Sequence, residues 1–307
     1  MKQLYYSLPQ YLKDTFGRKL YKVALETGMT CPNRDGKVAV GGCIFCGEGG
    51  SGDFAIYYEG KRLSREELIY NHQEIPKGDY IAYFQSFTNT YAPTSKLREI
   101  FTAALEDDLF AGISIATRPD CLGKDVLELL KELKEKYLNK FIWVELGLQT
   151  IHESTAKWMN RGYPLEVFDE AIKNLKSINI EVIVHIIIGL PGEDQKMLLE
   201  TIQHLNACQI DGVKLQLLHY LKNTRLGVQY LSNPSQYHVL EMDEYVELVT
   251  ECIAHLDEHI VIHRLTGDGN AEDLIAPLWS TDKRRVLNLI NHMLKIKSYT
   301  QGCKLSK

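Results

Sequence analysis

Residues 20–50 read LYKVALETGMTCPNRDGKVAVGGCIFCGEGG, an apolar run followed by three closely spaced cysteines. The apolar run predicts a β-strand at Tyr21–Leu25. The cysteines Cys31, Cys43 and Cys46 follow on one loop, which has five glycines between positions 36 and 49. Glycine permits the positive φ angles and the close backbone approach that are needed to wrap a chain around an inorganic centre. The stretch therefore predicts a strand followed by a metal-binding loop.

The cysteine pattern favours an iron–sulfur cluster over a zinc ion. A closed structural zinc site normally has four ligands, often from two CxxC pairs, whereas three cysteines gather here. Three thiolates leave one iron of a [4Fe–4S] cluster open for a cofactor. A zinc site is the alternative interpretation. The remaining cysteines are dispersed and are expected to pack as small apolar residues: Cys121, Cys208, Cys252 and Cys303.

Composition indicates an ordinary globular protein rather than a secreted or membrane protein. Of 307 residues, 45% are hydrophobic and 24% are charged, as is usual for soluble domains. The N-terminus lacks the apolar core and the cleavage site of a signal peptide. The longest apolar run, around residues 183–190, contains His185 and is shorter than the roughly 20 residues of a membrane span. We therefore expect a cytoplasmic protein with no membrane association and no structural disulfides.

Short apolar, β-branched runs alternate with amphipathic helical patterns along most of the chain. From the second run onward they recur at the spacing of βα units, which implies parallel strands with right-handed crossovers. Six units are too few for a complete eight-fold barrel, so we predict an α/β fold, a partial (β/α)6 TIM-like barrel. A further run, Ile260–Leu265, predicts an edge strand. The six strands are predicted at Tyr21–Leu25, Tyr80–Gln85, Gly112–Thr117, Ile142–Gly147, Glu181–Ile188 and Gly212–Leu218.

The same pattern divides the chain into two parts. We predict a core barrel over residues 1–230 and a C-terminal extension over residues 235–307. No solenoid repeat, low-complexity stretch or linker rich in proline and glycine interrupts either part. The glycine-rich segment Gly47–Gly60, which follows the cysteines, is predicted to be a mobile loop.

The cysteine run resembles that of the radical S-adenosylmethionine (SAM) superfamily. The resemblance implies a [4Fe–4S] cluster held by Cys31, Cys43 and Cys46, with SAM chelating the fourth iron. It also implies cleavage of SAM to methionine and a 5′-deoxyadenosyl radical, which abstracts hydrogen from a substrate. The eleven-residue gap before Cys43 is longer than usual in the superfamily and is similar to the gap in the catalytic subunit of Elongator. Phe45 lies just before the last cysteine, a position at which the superfamily has an aromatic residue.

The resemblance assigns cofactor-binding roles to residues at strand ends, where the loops of an α/β barrel converge on one mouth. Gln85 and Asn89 stand where the superfamily binds the SAM amino group, although the family's Gly-Gly-Glu motif is absent and a polar turn is the alternative. Thr117 lies in an Ala-Thr-Arg-Pro-Asp run similar to that of Elongator-like members. Leu218 and Ile188 are expected to pack against adenine. His185 aligns with a position facing SAM, and a satisfied core histidine is the alternative.

The fourth predicted strand contains a glutamate, Glu145, within an apolar run. Glu145 would suit the ribose hydroxyls of SAM, because a carboxylate accepts two hydrogen bonds from a diol. Arg161 would suit the SAM carboxylate, because a guanidinium binds carboxylates through two parallel hydrogen bonds. Gln149 is expected in the same pocket. The structural alternative for Glu145 is a buried ion pair.

The resemblance narrows to a compact bacterial subgroup of Elongator-like enzymes. It implies a tRNA substrate, with the carboxymethylaminomethyl group at C5 of the wobble uridine trimmed to aminomethyl. It also implies an electron donor such as flavodoxin or ferredoxin, and a methyltransferase that acts downstream on the tRNA. One alternative is a radical SAM enzyme acting on a small molecule such as a porphyrin precursor. The other is a non-enzymatic metal-binding module.

The C-terminal end is basic, although the net charge of the whole chain is −5. We predict a helix from Asp282 to about Lys295, in which Lys283, Arg284 and Arg285 bind the tRNA backbone. A solvated helix face is the alternative. The apolar residues expected to hold this helix on the barrel are Val286, Leu287, Leu289, Ile290 and Leu294. The basic residues from position 283 onward, among which no acid occurs, are Lys283, Arg284, Arg285, Lys295, Lys297, Lys304 and Lys307.

Overall fold

The computed structural model describes residues 3–47, 49, 55–63, 79–267 and 271–305. Strands and helices alternate through most of this range. The strands are β1 (Leu20–Glu26), β2 (Ile56–Tyr57), β3 (Asp79–Phe84), β4 (Phe110–Thr117), β5 (Phe141–Gln149), β6 (Glu181–Ile188), β7 (Gly212–Leu217), β8 (Tyr220–Leu221), β9 (Val261–Arg264) and β10 (Leu274–Ala276). The helices are α1 (Leu8–Phe16), α2 (Thr94–Glu106), α3 (Lys124–Lys136), α4 (Glu153–Trp158), α5 (Leu165–Ser177), α6 (Gln195–Ala207), α7 (Arg225–Ser232), α8 (Met242–His255) and α9 (Lys283–Ile296).

Eight of the strands form one parallel sheet in the order β2-β1-β3-β4-β5-β6-β7-β9. Strands β8 and β10 form a separate antiparallel pair. Among the described residues the edge strands β2 and β9 do not pair with each other, so the large sheet is open rather than closed. The six predicted strands are all present, and Ile260–Leu265 supplies the edge strand β9. The α/β, partial-barrel prediction is confirmed.

The predicted loop Gly47–Gly60 differs from expectation at one point. Ile56 and Tyr57 form β2, which pairs with β1 through the register Leu25↔Ile56. The pairing supplies hydrogen bonds to the edge of β1, which a sequence-local argument does not anticipate. Glu48 and residues 50–54 of the segment lie outside the described residues.

Side chains alternate between the two faces of the large sheet, as the pleat of a strand requires. One face packs against the helices: Val144 and Leu146 of β5 share a core with Leu129 of α3 and Phe168 of α5. The opposite face of β5 carries Trp143, Glu145 and Gly147. We call this the inner face, because it faces away from the helical layer.

The register places charged residues on the inner face at a similar height. His185 pairs with both Gly147 and Lys214, and Ala116 pairs with Glu145. Because all strands of the sheet are parallel, their carboxyl ends lie at one edge. We call this edge the mouth.

The C-terminal segment packs on the same core as the barrel. Val286, Ile290 and Leu294 of α9 are buried in the core that also contains β5 and β6. Leu287, which was expected to hold the helix, is instead 36% exposed, because it lies one residue beyond the buried stripe of α9. The division of the chain near residues 230–235 stays a prediction.

Helices of the described residues are too short or too polar to cross a lipid bilayer.

Candidate functional site

Cys31, Cys43 and Cys46 lie on the loop that follows β1, close enough to influence one another electrostatically. Burial raises the pKa of Cys46 to about 12, and the negative charges of Cys43 and Cys31 contribute to the shift. Burial also raises the pKa of Cys43, while the Arg118 guanidinium acts in the opposite direction. The loop therefore gathers the three thiols at one place, as its sequence predicts.

The spacing of the three thiols suits a cluster better than one metal ion. Thiolates on a single tetrahedral zinc lie about 3.8 Å apart, given a Zn–S bond of about 2.3 Å. The three sulfur atoms do not all lie within 4.8 Å of one another. Ligands to different irons of a cube are farther apart than ligands to one ion. The donor set therefore fits a [4Fe–4S] cluster.

Residues from distant parts of the chain fix the cysteine loop. Asn33 Nδ2 donates to the Asn160 carbonyl at 2.6 Å and lies 3.6 Å from Cys43 Sγ. Gly162 has φ +82°, and a Cβ at this glycine would lie 2.6 Å from Asn33 Oδ1. Only glycine permits both the backbone conformation and the close approach. The Asn-Arg-Gly-Tyr run after β5 is thus needed to seat the cysteine loop.

Three arginines place positive charge around the thiols. Arg34 Nη1 donates to the Gly47 carbonyl at 2.7 Å and lies 3.9 Å from Cys46 Sγ. Arg225 donates to the Gly42 carbonyl. Arg118 pairs with both carboxylate oxygens of Asp120. The Thr-Arg-Pro-Asp run contains Arg118, but nothing in the sequence indicates that this side chain faces the cysteines.

Several buried polar atoms near the mouth have no hydrogen-bond partner within the described part of the chain. They are Asn33 Oδ1, Ser86 Oγ, Thr88 Oγ1 and Gln149 Oε1. Each belongs to the cysteine loop or to the segment at or after the end of a strand. An unpaired buried polar group costs about 1–3 kcal/mol. Acceptors and hydroxyls in such a state fit a polar ligand such as SAM.

Gln149 ends β5 with a φ of +70°, in the left-handed region that a glutamine rarely adopts. A Cβ at Gly147 would lie 3.0 Å from Gln149 Nε2, so the glutamine side chain folds back over this glycine. Backbone strain of this kind costs about 1–3 kcal/mol and clusters at functional sites. Gln85 directly follows β3, which is two strands away from β5 in the sheet, and is half-buried. Both residues lie at the mouth, as predicted from their positions at strand ends.

Asn89 and Thr117 have other partners in the structure. Asn89 Nδ2 donates to the carbonyls of Ser86 and Ala116, at 2.9 Å and 3.2 Å. The Thr117 hydroxyl lies 2.5 Å from the hydroxyl of Thr90. Both side chains therefore join the loop after β3 to the end of β4. A direct cofactor contact by either residue stays a prediction.

Glu145 lies at the centre of a buried charge cluster on the inner face. Its Oε1 accepts from Lys22 at 2.5 Å and from Ser114 at 2.6 Å. Its Oε2 lies 2.7 Å from His185 Nε2 and 2.5 Å from Lys214 Nζ. The carboxylate is fully buried and has four donors, so the expected contact with ribose is replaced by the alternative, a buried ion pair. The sequence carried a signal, since Lys22 and Lys214 also interrupt apolar strands.

The cluster changes the ionisation of its members. Burial would raise the pKa of Glu145, but Lys214, Lys22 and His185 hold it well below its usual value. Burial lowers the pKa of His185 to about 4, with a further contribution from Lys214. Neutral His185 is thus a satisfied partner of Glu145, which was the alternative to its role in facing SAM. Its side chain is still 15% exposed.

Arg161 was expected to bind the SAM carboxylate, but the structure gives its guanidinium other partners. Nη1 donates to the carbonyls of Leu148 and Thr150, at 3.2 Å and 2.6 Å. Nε donates to the Tyr163 carbonyl at 3.0 Å, and Nη2 donates to Glu153 at 2.9 Å. The residue is 1% exposed. Arg161 therefore fixes the turn between β5 and α5, and the sequence could not distinguish this role from ligand binding.

Replacing Arg161 with alanine should lower the free energy of unfolding by about 3 kcal/mol or more, because buried acceptors lose their donors. Chemical unfolding monitored by circular dichroism measures the change. Arg98→Ala is the matched control, since the Arg98–Glu132 pair is 49% and 58% exposed. A variant with unchanged stability and weakened SAM binding would restore the role expected from the sequence.

The two apolar residues expected near adenine lie in different places. Leu218 packs in a cluster with Ile44 and Ile187, directly against the cysteine loop. Ile188 instead packs on the helical side of the sheet. The alternation along β6 explains the difference, because His185 and Ile187 share the inner face. Ile187 is therefore the β6 isoleucine that the structure brings to the site.

The exposed start of α9 contains Lys283, Arg284 and Arg285. Trp279 precedes this helix and donates its ring N–H to the Leu240 carbonyl, which fixes the start of α9 near the start of α8. Lys297 and Lys304 have a different role, because both pair with Glu251 of α8 at 3.1 Å and 2.8 Å. The basic character predicted for the whole C-terminal end is thus concentrated at the start of α9.

The remaining cysteines occupy varied surroundings. Cys252 is buried in the core, as expected, whereas Cys303 is exposed. Cys208 lies beside Asp169 and His204, with its sulfur 3.9 Å from the carboxylate. None of these three lies on the cysteine loop.

Comparison with known proteins gives consistent matches over the whole fold. The family model of the radical SAM superfamily matches residues 26–205, and that of the radical SAM C-terminal domain matches residues 210–295. YtqA of Bacillus subtilis (strain 168) is 44% identical, covering 97% of this chain and 92% of that protein. Elongator complex protein 3 of Schizosaccharomyces pombe is 24% identical, covering 84% of this chain and 56% of that protein.

A solved structure shows the same fold. The archaeal Elp3 of Methanocaldococcus infernus has a TM-score of 0.66 and 15% identity, covering 92% of this chain and 65% of that one. Radical SAM proteins are enzymes that use a [4Fe–4S] cluster and SAM, which excludes the alternative of a non-enzymatic metal-binding module. With a family match over more than half of its length and a relative 44% identical across nearly all of it, the chain belongs to the radical SAM superfamily.

Proposed function

We propose that this radical SAM enzyme modifies the wobble uridine of tRNA, trimming the carboxymethylaminomethyl group at C5 to aminomethyl. The observation that carries the proposal is the exposed basic start of α9, formed by Lys283, Arg284 and Arg285. The similarity to YtqA and to Elongator complex protein 3 supports it. When bound, the cluster and SAM supply a radical that abstracts hydrogen from the substrate.

On this proposal, different residues of the chain would hold the cluster and bind SAM. Cys31, Cys43 and Cys46 would hold the cluster, and Arg34 and Arg118 would offset the charge of the thiolates. Gln149 and Gln85 would bind the polar part of SAM at the mouth. Leu218 would form an apolar wall beside the cysteine loop, together with Ile187.

The position of α9 supports backbone binding. Helix α8 runs from the mouth toward the opposite edge of the sheet, and β9 runs back toward the mouth. Helix α9 starts after β9 and β10 in the chain. Lys283, Arg284 and Arg285 are all exposed, and successive residues of a helix are about 100° apart. These three side chains would contact tRNA phosphates near the mouth. On this proposal, residues 235–307 contribute the tRNA-binding surface and residues 1–230 the catalytic barrel.

The affinity for tRNA should fall steeply with salt, because each phosphate contact releases counterions. In the triple alanine variant of Lys283, Arg284 and Arg285, the slope of log affinity against log salt should flatten by about two to three units. Binding of fluorescent tRNA across a salt series measures the slope. SAM cleavage without tRNA should be retained.

A matched control removes three exposed lysines elsewhere. The replaced lysines are exposed and lie on helices α3 and α5, which run away from the mouth: Lys131, Lys136 and Lys173. Their triple alanine variant should keep the slope of the unmodified protein. If both variants flatten the slope equally, α9 has no special role in tRNA binding.

The reaction itself is tested by the nucleosides of a deletion strain. Mass spectrometry of its tRNA should show carboxymethylaminomethyluridine accumulating where the parent has the aminomethyl form or its methylated product. Unchanged wobble nucleosides together with accumulation of a porphyrin precursor would favour the small-molecule alternative.

We further propose that a flavodoxin or ferredoxin supplies the electron, and that a tRNA methyltransferase acts on the product.

A further inference from the structure

The upper half of the inner face surrounds a partly open lumen. Residues on the helical face of the same strands are buried, whereas several inner-face positions toward the mouth are partly exposed. Ala24, Ala116 and Gly147 are among them, and their small side chains leave space above the charge cluster. The lumen opens at the mouth, beside the cysteine loop.

The floor of this lumen is the charge cluster around Glu145, and its charges do not balance. Two ammonium groups, Lys22 and Lys214, converge on one carboxylate. Each ammonium has three N–H donors. In the described structure Lys22 donates to Glu145, while Lys214 donates to Glu145 and to the Tyr83 hydroxyl at 3.1 Å. Both lysines therefore keep donor capacity.

The electrostatics agree with an excess of positive charge. Burial lowers the pKa of Lys214 to about 7, and although Glu145 acts against this, Lys22 and Arg264 lower it further. Glu145 has no accepting position left, because four donors already surround it. A second anion entering from the lumen would favour the protonated form of Lys214 and offset the charge of the two ammonium groups. The Lys22 side chain is 20% exposed, so it is not sealed from solvent.

We propose that Lys22 and Lys214 form a carboxylate-binding site at the floor of the lumen, which recognises the carboxymethyl group of the substrate's C5 substituent. This inference rests on the proposed function, and it adds the residues that select an acidic substituent. Glu145 acts as a positioning residue, because it fixes the two ammonium groups without contacting the substrate, and His185 in turn holds Glu145.

The site should also affect release of the product, because the substrate and the product differ in charge. Both substituents carry an ammonium at neutral pH, but the aminomethyl group lacks the carboxylate that offsets this charge. Beside Lys22 and Lys214 this group meets like charge, which is unfavourable. The same two lysines would thus favour binding of the substrate and release of the product.

The test compares two nucleosides on the reconstituted holoenzyme by equilibrium binding. 5-Carboxymethylaminomethyluridine should bind at least about 10-fold more tightly than 5-aminomethyluridine, as expected for a charge-assisted hydrogen bond. Lys22→Met should remove about 10- to 100-fold of the affinity for the acidic nucleoside and leave that for the aminomethyl nucleoside unchanged or improved. Lys22→Arg should restore part of the preference.

Lys19→Met is the matched control, since Lys19 lies just before β1 and is exposed. It should keep the preference for the acidic nucleoside. Equal affinity of the unmodified enzyme for the two nucleosides, or an unchanged preference in Lys22→Met, would overturn the carboxylate site. Binding preference with no conversion of carboxymethylaminomethyluridine in tRNA would instead overturn the proposed reaction and leave the site standing.

Discussion

Replacing Glu145 with glutamine is expected to lower the free energy of unfolding by about 3–5 kcal/mol, the usual cost of breaking a buried ion pair on one side. Glutamine keeps the shape of the side chain but leaves Lys22 and Lys214 without their shared counter-charge. Its amide also presents N–H groups where the carboxylate accepted hydrogen bonds. Chemical unfolding of the variant and of the unmodified protein, side by side, measures the loss.

Glu135→Gln is the control for removing a carboxylate at the surface. Glu135 lies 3.9 Å from Lys131, and both side chains are more than half exposed, so the expected change is below about 1 kcal/mol. Equal stability losses in the two variants would mean that the charge cluster contributes nothing beyond a surface pair.

The contribution of Glu145 also has a predictable pH dependence. Its pKa lies well below the usual value in the folded protein, because Lys214, Lys22 and His185 outweigh the effect of burial. A lowered pKa stabilises the folded state fully above the pKa of the unfolded chain, about 4.3, and the effect is lost as pH falls through the folded pKa. The stability difference between Glu145→Gln and the unmodified protein should therefore shrink in acid, as Glu145 is protonated, and should also shrink as pH rises through about 7, where Lys214 loses its proton.

Replacing Cys31, Cys43 or Cys46 with alanine is expected to abolish the cluster. Each cysteine supplies one thiolate, and three thiolates are the minimum that holds a four-iron cube while leaving one iron open. After anaerobic reconstitution, iron and sulfide should fall from about four of each per chain to background. The brown absorption and SAM cleavage should be lost with them.

Cys303→Ala is the control, because Cys303 is exposed and distant in sequence from the loop. It should keep the full iron content. A triple variant of the three loop cysteines that still binds four irons would contradict the assignment of the cluster.

The strands illustrate what local sequence determines. Apolar residues recur along β6 in a continuous β-branched run, and its predicted bounds Glu181–Ile188 are those observed. The cysteine loop was equally clear, because its three thiols are close in sequence and need no distant partner to be gathered. Strand type, helix type and the cysteine set depend on neighbouring residues, and a single sequence shows those directly.

The partners of charged side chains depend on tertiary structure. Glu145, Lys22 and Lys214 are separated by 69 or more residues, and only the strand order places them around one point. Arg161 was assigned to the SAM carboxylate because a guanidinium binds carboxylates through two parallel hydrogen bonds. In the structure it donates instead to main-chain carbonyls of the segment that follows β5 and of the end of β5.

The sequence by itself determined the fold class and the superfamily, and it predicted the cluster cysteines. The tertiary structure decided which face each strand residue occupies and which charges meet: Ile187 rather than Ile188 at the site, and two lysines on one glutamate. The physical reason is that strand patterns and chelating loops are set by interactions over a few residues. Electrostatic partners are set by register and strand order, which arise from packing of the whole chain.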